Sequence, residues 1–181
     1  MKEENVLNLA KILGRMKKVK RNGWVKRRIL EAESDAEHSY SLAMLVMLFA
    51  PASLDRLKCL QMALIHDLPE VFCGDFVPGE IAESEKLALE RKAMSKVVEA
   101  VDSQLLAELF AEYEARQTPE AKFVWTLDRI DNVFTARFYE DSLKIALVNE
   151  FSKSAYERLY YLDDTALRTE MDQVLTALIK K

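Results

Sequence analysis

No stretch of this sequence alternates apolar and polar residues with a period of two, whereas apolar residues recur three and four positions apart along most of it. A strand buried on one face needs the first pattern, and a helix packed on one side needs the second. An all-α fold is therefore expected. The punctuation of the chain agrees. Four glycines and four prolines serve 181 residues, and sheet folds use such turn residues far more heavily than helical bundles do. Half of the residues are apolar, which suffices for a core, and the length suits a single domain over residues 1–181.

The spacing predicts six to seven helices. The first covers residues 3–20, with Val6, Leu7, Leu9, Ala10, Leu13 and Met16 on its apolar side and "RNG" closing it. In "SDAEHSYSLAMLVMLFAP" a Ser-x-x-Glu pattern precedes an apolar run, which makes Ser34 the N-cap and Glu37 the reciprocal N3 residue of a capping box. His38 then sits in the first turn, with Leu42, Leu45 and Phe49 following at helical spacing. The imidazole is expected to face the core. A helix over 53–68 follows, with Pro69 kinking it or opening the next turn, and "CGDFVPGE" forms a loop. Residues 84–116 read as one long helix or two, broken near Asp102 and Ser103. Thr118 and Pro119 are a strong helix start, and Phe123, Leu127, Ile130 and Phe134 line one face of what they begin. Helices over 143–161 and 164–180 complete the set.

Charge is unevenly spread. The net charge is −4, yet "KKVKRNGWVKRR" at 17–28 holds seven basic residues and no acid, leaving about −11 for the remainder. That argues against a protein that coats nucleic acid polymers and leaves one local spot suited to an anion such as phosphate, or else a solvated basic loop. The opening residues mix charges, no run approaches membrane-spanning length, and the two cysteines, Cys59 and Cys73, do not form a disulfide framework. A cytoplasmic protein with reduced thiols and no membrane contact is expected. Met44, Met47, Trp125, Tyr156, Tyr160 and Tyr161 have the spacing of core or interface residues.

The chain has two histidines, and one of them, His66, stands directly beside Asp67. His38, His66, Asp67 and Asp128 together make an N₂O₂ donor set of the kind that holds a borderline divalent metal with positions left for water and substrate. Each residue also has an ordinary explanation. A single histidine on an apolar face is commonly a core residue. Neighbouring helical residues diverge by about 100°, and Asp128 and Asp131 suit an acidic helix edge paired with Arg129 or Arg137. Spacing alone leaves these alternatives open.

"ESDAEHSYSLAML", "ALIHDLPEVFCGD" and "AKFVWTLDRIDNV", in that order, resemble the HD-domain superfamily, whose members bind metal through a first His, an adjacent His-Asp pair and a distant Asp. "RNGWVKR" upstream and the Pro-Glu and Gly-Asp after the His-Asp pair narrow the resemblance to the HD-domain 5′-deoxynucleotidases, which remove phosphate from deoxyribonucleoside 5′-monophosphates. The resemblance implies His38, His66, Asp67 and Asp128 as metal ligands, with Asp131 the rival for the last place and the "TLD" register favouring 128. It implies Glu70 and Asp75 as the catalytic acids that handle the water and the leaving group, in an order that sequence does not decide. Trp24 is implied on the sugar and base side. Bacterial members carry an arginine immediately before that tryptophan to hold phosphate. Gly23 stands there in this chain, so Arg21 or Arg27 takes the role, as in the Arg-x-Gly-Trp arrangement of eukaryotic-type members.

The expected function is metal-dependent hydrolysis of a nucleoside monophosphate, with manganese or cobalt favoured and magnesium, zinc or iron also compatible. Tyr160, Tyr161, Leu167 and Leu175 are expected on the exposed sides of the late helices, where they could join two copies, and the resemblance implies a homodimer. Two alternatives stand beside this reading: an HD phosphohydrolase acting on a cyclic nucleotide or polyphosphate, and a non-catalytic helical interaction module.

Overall fold

A computed structural model describes residues 2–180. Among them are ten helical segments and no strand: α1 (Glu3–Met16), α2 (Asn22–Lys26), α3 (Asp35–Phe49), α4 (Arg56–Ile65), α5 (Glu70–Cys73), α6 (Glu83–Val101), α7 (Gln104–Ala115), α8 (Pro119–Leu143), α9 (Val148–Leu159) and α10 (Thr165–Ile179). The all-α expectation holds. The count exceeds six to seven because α2 and α5, of five and four residues, are too short to show a period. In addition, the 84–116 stretch divides where Asp102 adopts a left-handed backbone (φ 54°) and ends α6, a conformation that Asp tolerates better than most residues.

Helix ends follow local chemistry. Glu37 Oε2 accepts hydrogen bonds from Ser34 N (2.6 Å) and Ser34 Oγ (2.8 Å), and Ser34 Oγ accepts from Glu37 N (3.3 Å), so the capping box forms. Thr118 Oγ1 caps α8 by accepting from Ala121 N, with Pro119 in its first turn. The helix expected from Ser53 starts later, because Asp55 Oδ1 accepts from Lys58 N (3.0 Å) and caps it there. It also ends sooner. Pro69 has no N–H to give to Ile65 O, which instead accepts from Leu68 N (3.0 Å) in a tighter turn. The first helix stops at Met16 rather than 20. Residues after it pair with the entry to α3, through Asp35 N to Val19 O (3.1 Å) and Arg21 N to Glu33 O (3.0 Å).

The chain divides into two compact units, each made from two stretches. The first runs up to Tyr40 and resumes over Leu64–Ala111. In it α1 and α5 pack on α6 and on each other, and Ile12, Met16, Trp24, Met94 and Val97 are buried. The second takes Ser41–Ala63 and the chain from Glu112 onward. Its α8 packs on α9 and α10, and α9 on α10. Phe123, Leu127, Ile130, Ala155, Met171 and Leu175 are buried there, and truncating one of the larger ones costs about 2–5 kcal/mol.

Met44 and Met47 are exposed, so neither is core. Tyr160 and Tyr161 are exposed as expected, but Leu167 and Leu175 are 6% and 0% exposed and belong to the protein's own interior. No described helix is long and apolar enough to cross a membrane.

Candidate metal centre

In the first unit, His38, His66 and Asp67 converge. The capping box starts α3 at Asp35 and so fixes the turn that carries His38, which is wholly buried. His66 and Asp67 lie past the end of α4, in a run of tight turns that Leu68 N to Ile65 O and Glu70 N to Asp67 O (3.0 Å) hold together. The divergence expected of neighbours in a continuous helix therefore does not apply. His66 Nε2 lies 3.1 Å from Asp67 Oδ2. His38 Nε2 lies 3.2 Å from His66 Nε2 and 3.7 Å from Asp67 Oδ2.

The donor set fits a divalent ion. Ligand atoms about 2.0–2.2 Å from a tetrahedral ion stand roughly 3.3–3.6 Å apart, close to the three separations here. Two imidazole Nε2 atoms aimed at each other share at most one proton between them, whereas a cation satisfies both lone pairs. Mixed imidazole and carboxylate donors suit manganese, cobalt, iron or zinc better than a purely oxygen-seeking ion. Arg21, itself buried, donates from Nη1 to Asp67 Oδ2 (2.8 Å). Burial works against the Asp67 charge, but the adjoining His66 and Arg21 outweigh it and hold the carboxyl well below the usual range.

A second cluster shares Asp67. Carboxylate oxygens of Asp35, Asp67 and Glu70 lie within 4.8 Å of one another. Asp35 is 0% exposed and Glu70 3%, and Asp35 Oδ1, Asp35 Oδ2 and Glu70 Oε2 are buried with no hydrogen-bond partner. Burial first, and then the neighbouring Asp67, push Asp35 up to about 7. Burial with Asp67, Asp75 and Asp35 close by raises Glu70 as well. Such a cluster calls for a proton or a cation. On α6, Lys86 Nζ pairs with Glu90 Oε1 (3.2 Å). Burial opposes its charge, but the field of Glu90, Glu70 and Asp67 overrides this and raises its pKa.

The other expected residues are placed as follows. Gly74, at φ 80°, turns the chain after α5. Asp75 then returns to the start of α2, where its Oδ2 accepts from Asn22 N (2.5 Å) and its carbonyl from Asn22 Nδ2 (2.6 Å). Trp24 is 1% exposed and donates Nε1 to Glu33 Oε1 (2.8 Å). Arg27, just past the end of α2, donates back to Gly23 O (2.5 Å) in that helix, whereas Arg21 reaches the histidine cluster through Asp67. Cys59 and Cys73 are both free thiols.

Asp128 belongs to the second unit. It is buried on α8, with Oδ2 accepting from Arg158 Nη1 (2.8 Å). Asp131, also buried, accepts from Ser41 Oγ. Burial pulls the Arg158 guanidinium down to about 10, still charged at neutral pH. Sequence reasoning did not single out Asp35, Glu33, Lys86 or Arg158. An acid in the first turn of a helix, such as Asp35, is commonplace for dipole reasons, Glu33 opens the first quoted motif with no spacing that marks it, and Lys86 and Arg158 lie outside any motif.

A model of the HD domain family matches residues 13–166. A relative from Danio rerio named 5′-deoxynucleotidase HDDC2 is 34% identical over 142 residues, covering 76% of this chain and 71% of that protein. The Homo sapiens protein of the same name is 35% identical over 141 residues, 76% of this chain and 69% of its own. Among solved structures, a conserved hypothetical protein from Pyrococcus furiosus matches with a TM-score of 0.76 at 30% identity, covering 93% of this chain and 98% of that one.

Proposed function

The chain belongs to the HD-domain family, and on that footing we propose that it is a metal-dependent phosphomonoesterase, a 5′-deoxynucleotidase that hydrolyses deoxyribonucleoside 5′-monophosphates. The observation that carries this is the convergence of His38 Nε2, His66 Nε2 and Asp67 Oδ2 within 3.7 Å, in a chain whose relatives are named for that activity. One domain over 1–181 is part of the reading, since the family match runs without a break through stretches of both units.

His38, His66, Asp67 and Asp128 hold the metal, Asp128 on the strength of the family pattern. When bound, a divalent ion supplies positive charge to a phosphoryl oxygen and makes a water acidic enough to ionise near neutral pH. Manganese or cobalt is the favoured ion. Arg21 orients the phosphate. Its guanidinium is buried beside Asp67 and presents forked donors that match phosphate oxygens. Arg27, turned back onto α2, is the weaker choice. Glu70 moves the proton. Burial disfavours its anion, so at Oε2 it can carry a proton to a leaving 5′-oxygen or take one from the attacking water. Asp75, tied to Asn22, orients the partner in that transfer and locks α2 in place. Trp24 forms the inner wall on the sugar and base side. The enzyme is cytoplasmic and a homodimer, with the exposed Tyr160 and Tyr161 at the contact.

The test is phosphate release from a panel of deoxy- and ribonucleoside monophosphates, cyclic nucleotides and nucleoside triphosphates, after metal stripping and addition of manganese, cobalt or magnesium. Release from deoxyribonucleoside monophosphates is expected to depend on metal. It should fall at least about a hundredfold in Glu70→Gln, the scale of a general acid-base contribution. Hydrolysis confined to cyclic nucleotides or triphosphates, or none at all, refutes the reading, and a monomer mass by light scattering of the same preparation refutes the dimer.

A further inference from the structure

In the second unit one aromatic ring gathers cations. Trp125, on α8, has Arg158 Cζ 3.8 Å and Arg116 Cζ 4.7 Å from its ring centroid, and Tyr161 meets it edge-on at 4.9 Å. Stacking uses the face of a guanidinium and leaves its in-plane N–H groups free to donate. Arg158 directs Nη1 to the Trp125 carbonyl and to Asp128 Oδ2 (2.8 Å), and Arg129 Nε stands 4.0 Å from the same carboxylate oxygen. Arg116 has no such partner. Its Nε is buried without a hydrogen bond, and among the described residues no carboxylate pairs with it.

The backbone of Arg116 points the same way. It follows the end of α7 at φ 53°, a left-handed conformation that glycine or asparagine usually takes after a helix and that strains a longer side chain. Glycine would make the turn more cheaply. What arginine adds is a guanidinium, and strain kept at a position is characteristic of side chains that bind.

Charge within the cluster does not balance. Arg116, Arg129 and Arg158 stand with Asp128 as the one carboxylate paired to any of them among the described residues. Burial and Arg129 both work against the Arg158 charge, and Asp128 works for it. Two positive charges are left over, which match a phosphate dianion better than a carboxylate monoanion, and forked N–H donors fit phosphate oxygens. We propose that Arg116 and Arg158, held on Trp125 with Arg129 beside them, form a site in the second unit for a phosphate dianion, free or as a monoester. It needs no metal and does not depend on the activity proposed above.

The test is isothermal calorimetry on the full chain, stripped of metal so that no ester is hydrolysed, titrated with inorganic phosphate, a deoxyribonucleoside monophosphate and acetate. Saturable binding of phosphate or ester is expected, weakened at least about tenfold in Arg116→Gln by the loss of charge-assisted donors. The tighter of the two identifies the source of the anion, and either supports the site. The binding lost in Arg116→Gln should be retained in Arg21→Gln, because Arg21 belongs to the first unit. Arg116→Gly, which suits the left-handed turn, should fold and lose the binding too, so a misfolded Arg116→Gln leaves the question decidable. No saturable binding, binding that survives in folded Arg116→Gly, binding abolished by Arg21→Gln, or acetate bound as tightly as phosphate overturns the proposal.

Discussion

A fully buried carboxyl group with neither oxygen hydrogen-bonded, as at Asp35, is tolerated only while it carries a proton or faces a cation. Its ordinary pKa of 3.8 is raised to about 7 by burial and by Asp67. An acid whose folded-state pKa lies above its unfolded value stabilises the fold while protonated, and that contribution is lost as the pH rises through the folded value. Glu70 acts in the same direction. Chelator-treated protein should therefore melt several degrees lower at about pH 8 than at about pH 5.5, and Asp35→Asn should flatten this slope and raise the melting temperature at the higher pH. A melting temperature that climbs over this span, or an unchanged slope in Asp35→Asn, contradicts the account. Asp35 was hidden in the sequence because acids favour the first turn of any helix. Nothing local distinguishes one that faces solvent from one that faces two other carboxylates.

At the scale of elements, what the sequence shows best is what a few neighbouring residues decide. Ser34 with Glu37 and Thr118 with Pro119 start their helices as read, because capping is a local hydrogen-bonding problem. The end of α4 was legible only as a choice between two outcomes at Pro69, and the structure shows why the choice matters: ending at Ile65 frees His66 and Asp67 to turn toward one point. Gly74 carries a related burden. At φ 80° and ψ 163° its backbone lies where side chains are strained, although a Cβ there would meet nothing within 4 Å. Gly74→Ala should therefore cost about 1–3 kcal/mol from the backbone alone. The melting temperature should drop by roughly 2–4 °C per kcal/mol. Turnover should fall with it as Asp75 loses its hold on Asn22. Unaltered melting would show that the turn does not require glycine.

Over the whole molecule, His38, His66 and Asp67 were legible as residue types suited to a metal, whereas their convergence in space was not. His38 and His66 are 28 residues apart, and their ring centroids meet at 5.1 Å. The helical periods that revealed each element carry no information about which elements adjoin. The same limit explains Leu167 and Leu175, which helical spacing assigned to an outer face and which the fold buries. What the sequence could not locate, the resemblance to a metal-binding family supplied as expectation, and the geometry around His66 gives it a physical form. The most direct test is equilibrium binding of Mn²⁺ or Co²⁺ to the stripped chain and to its His66→Ala and Asp67→Ala variants, with folding checked by circular dichroism. Tight binding of at least one ion per wild-type chain, lost in both folded variants, is the expected result. A wild-type chain that binds neither ion, or variants that bind as it does, would contradict the account.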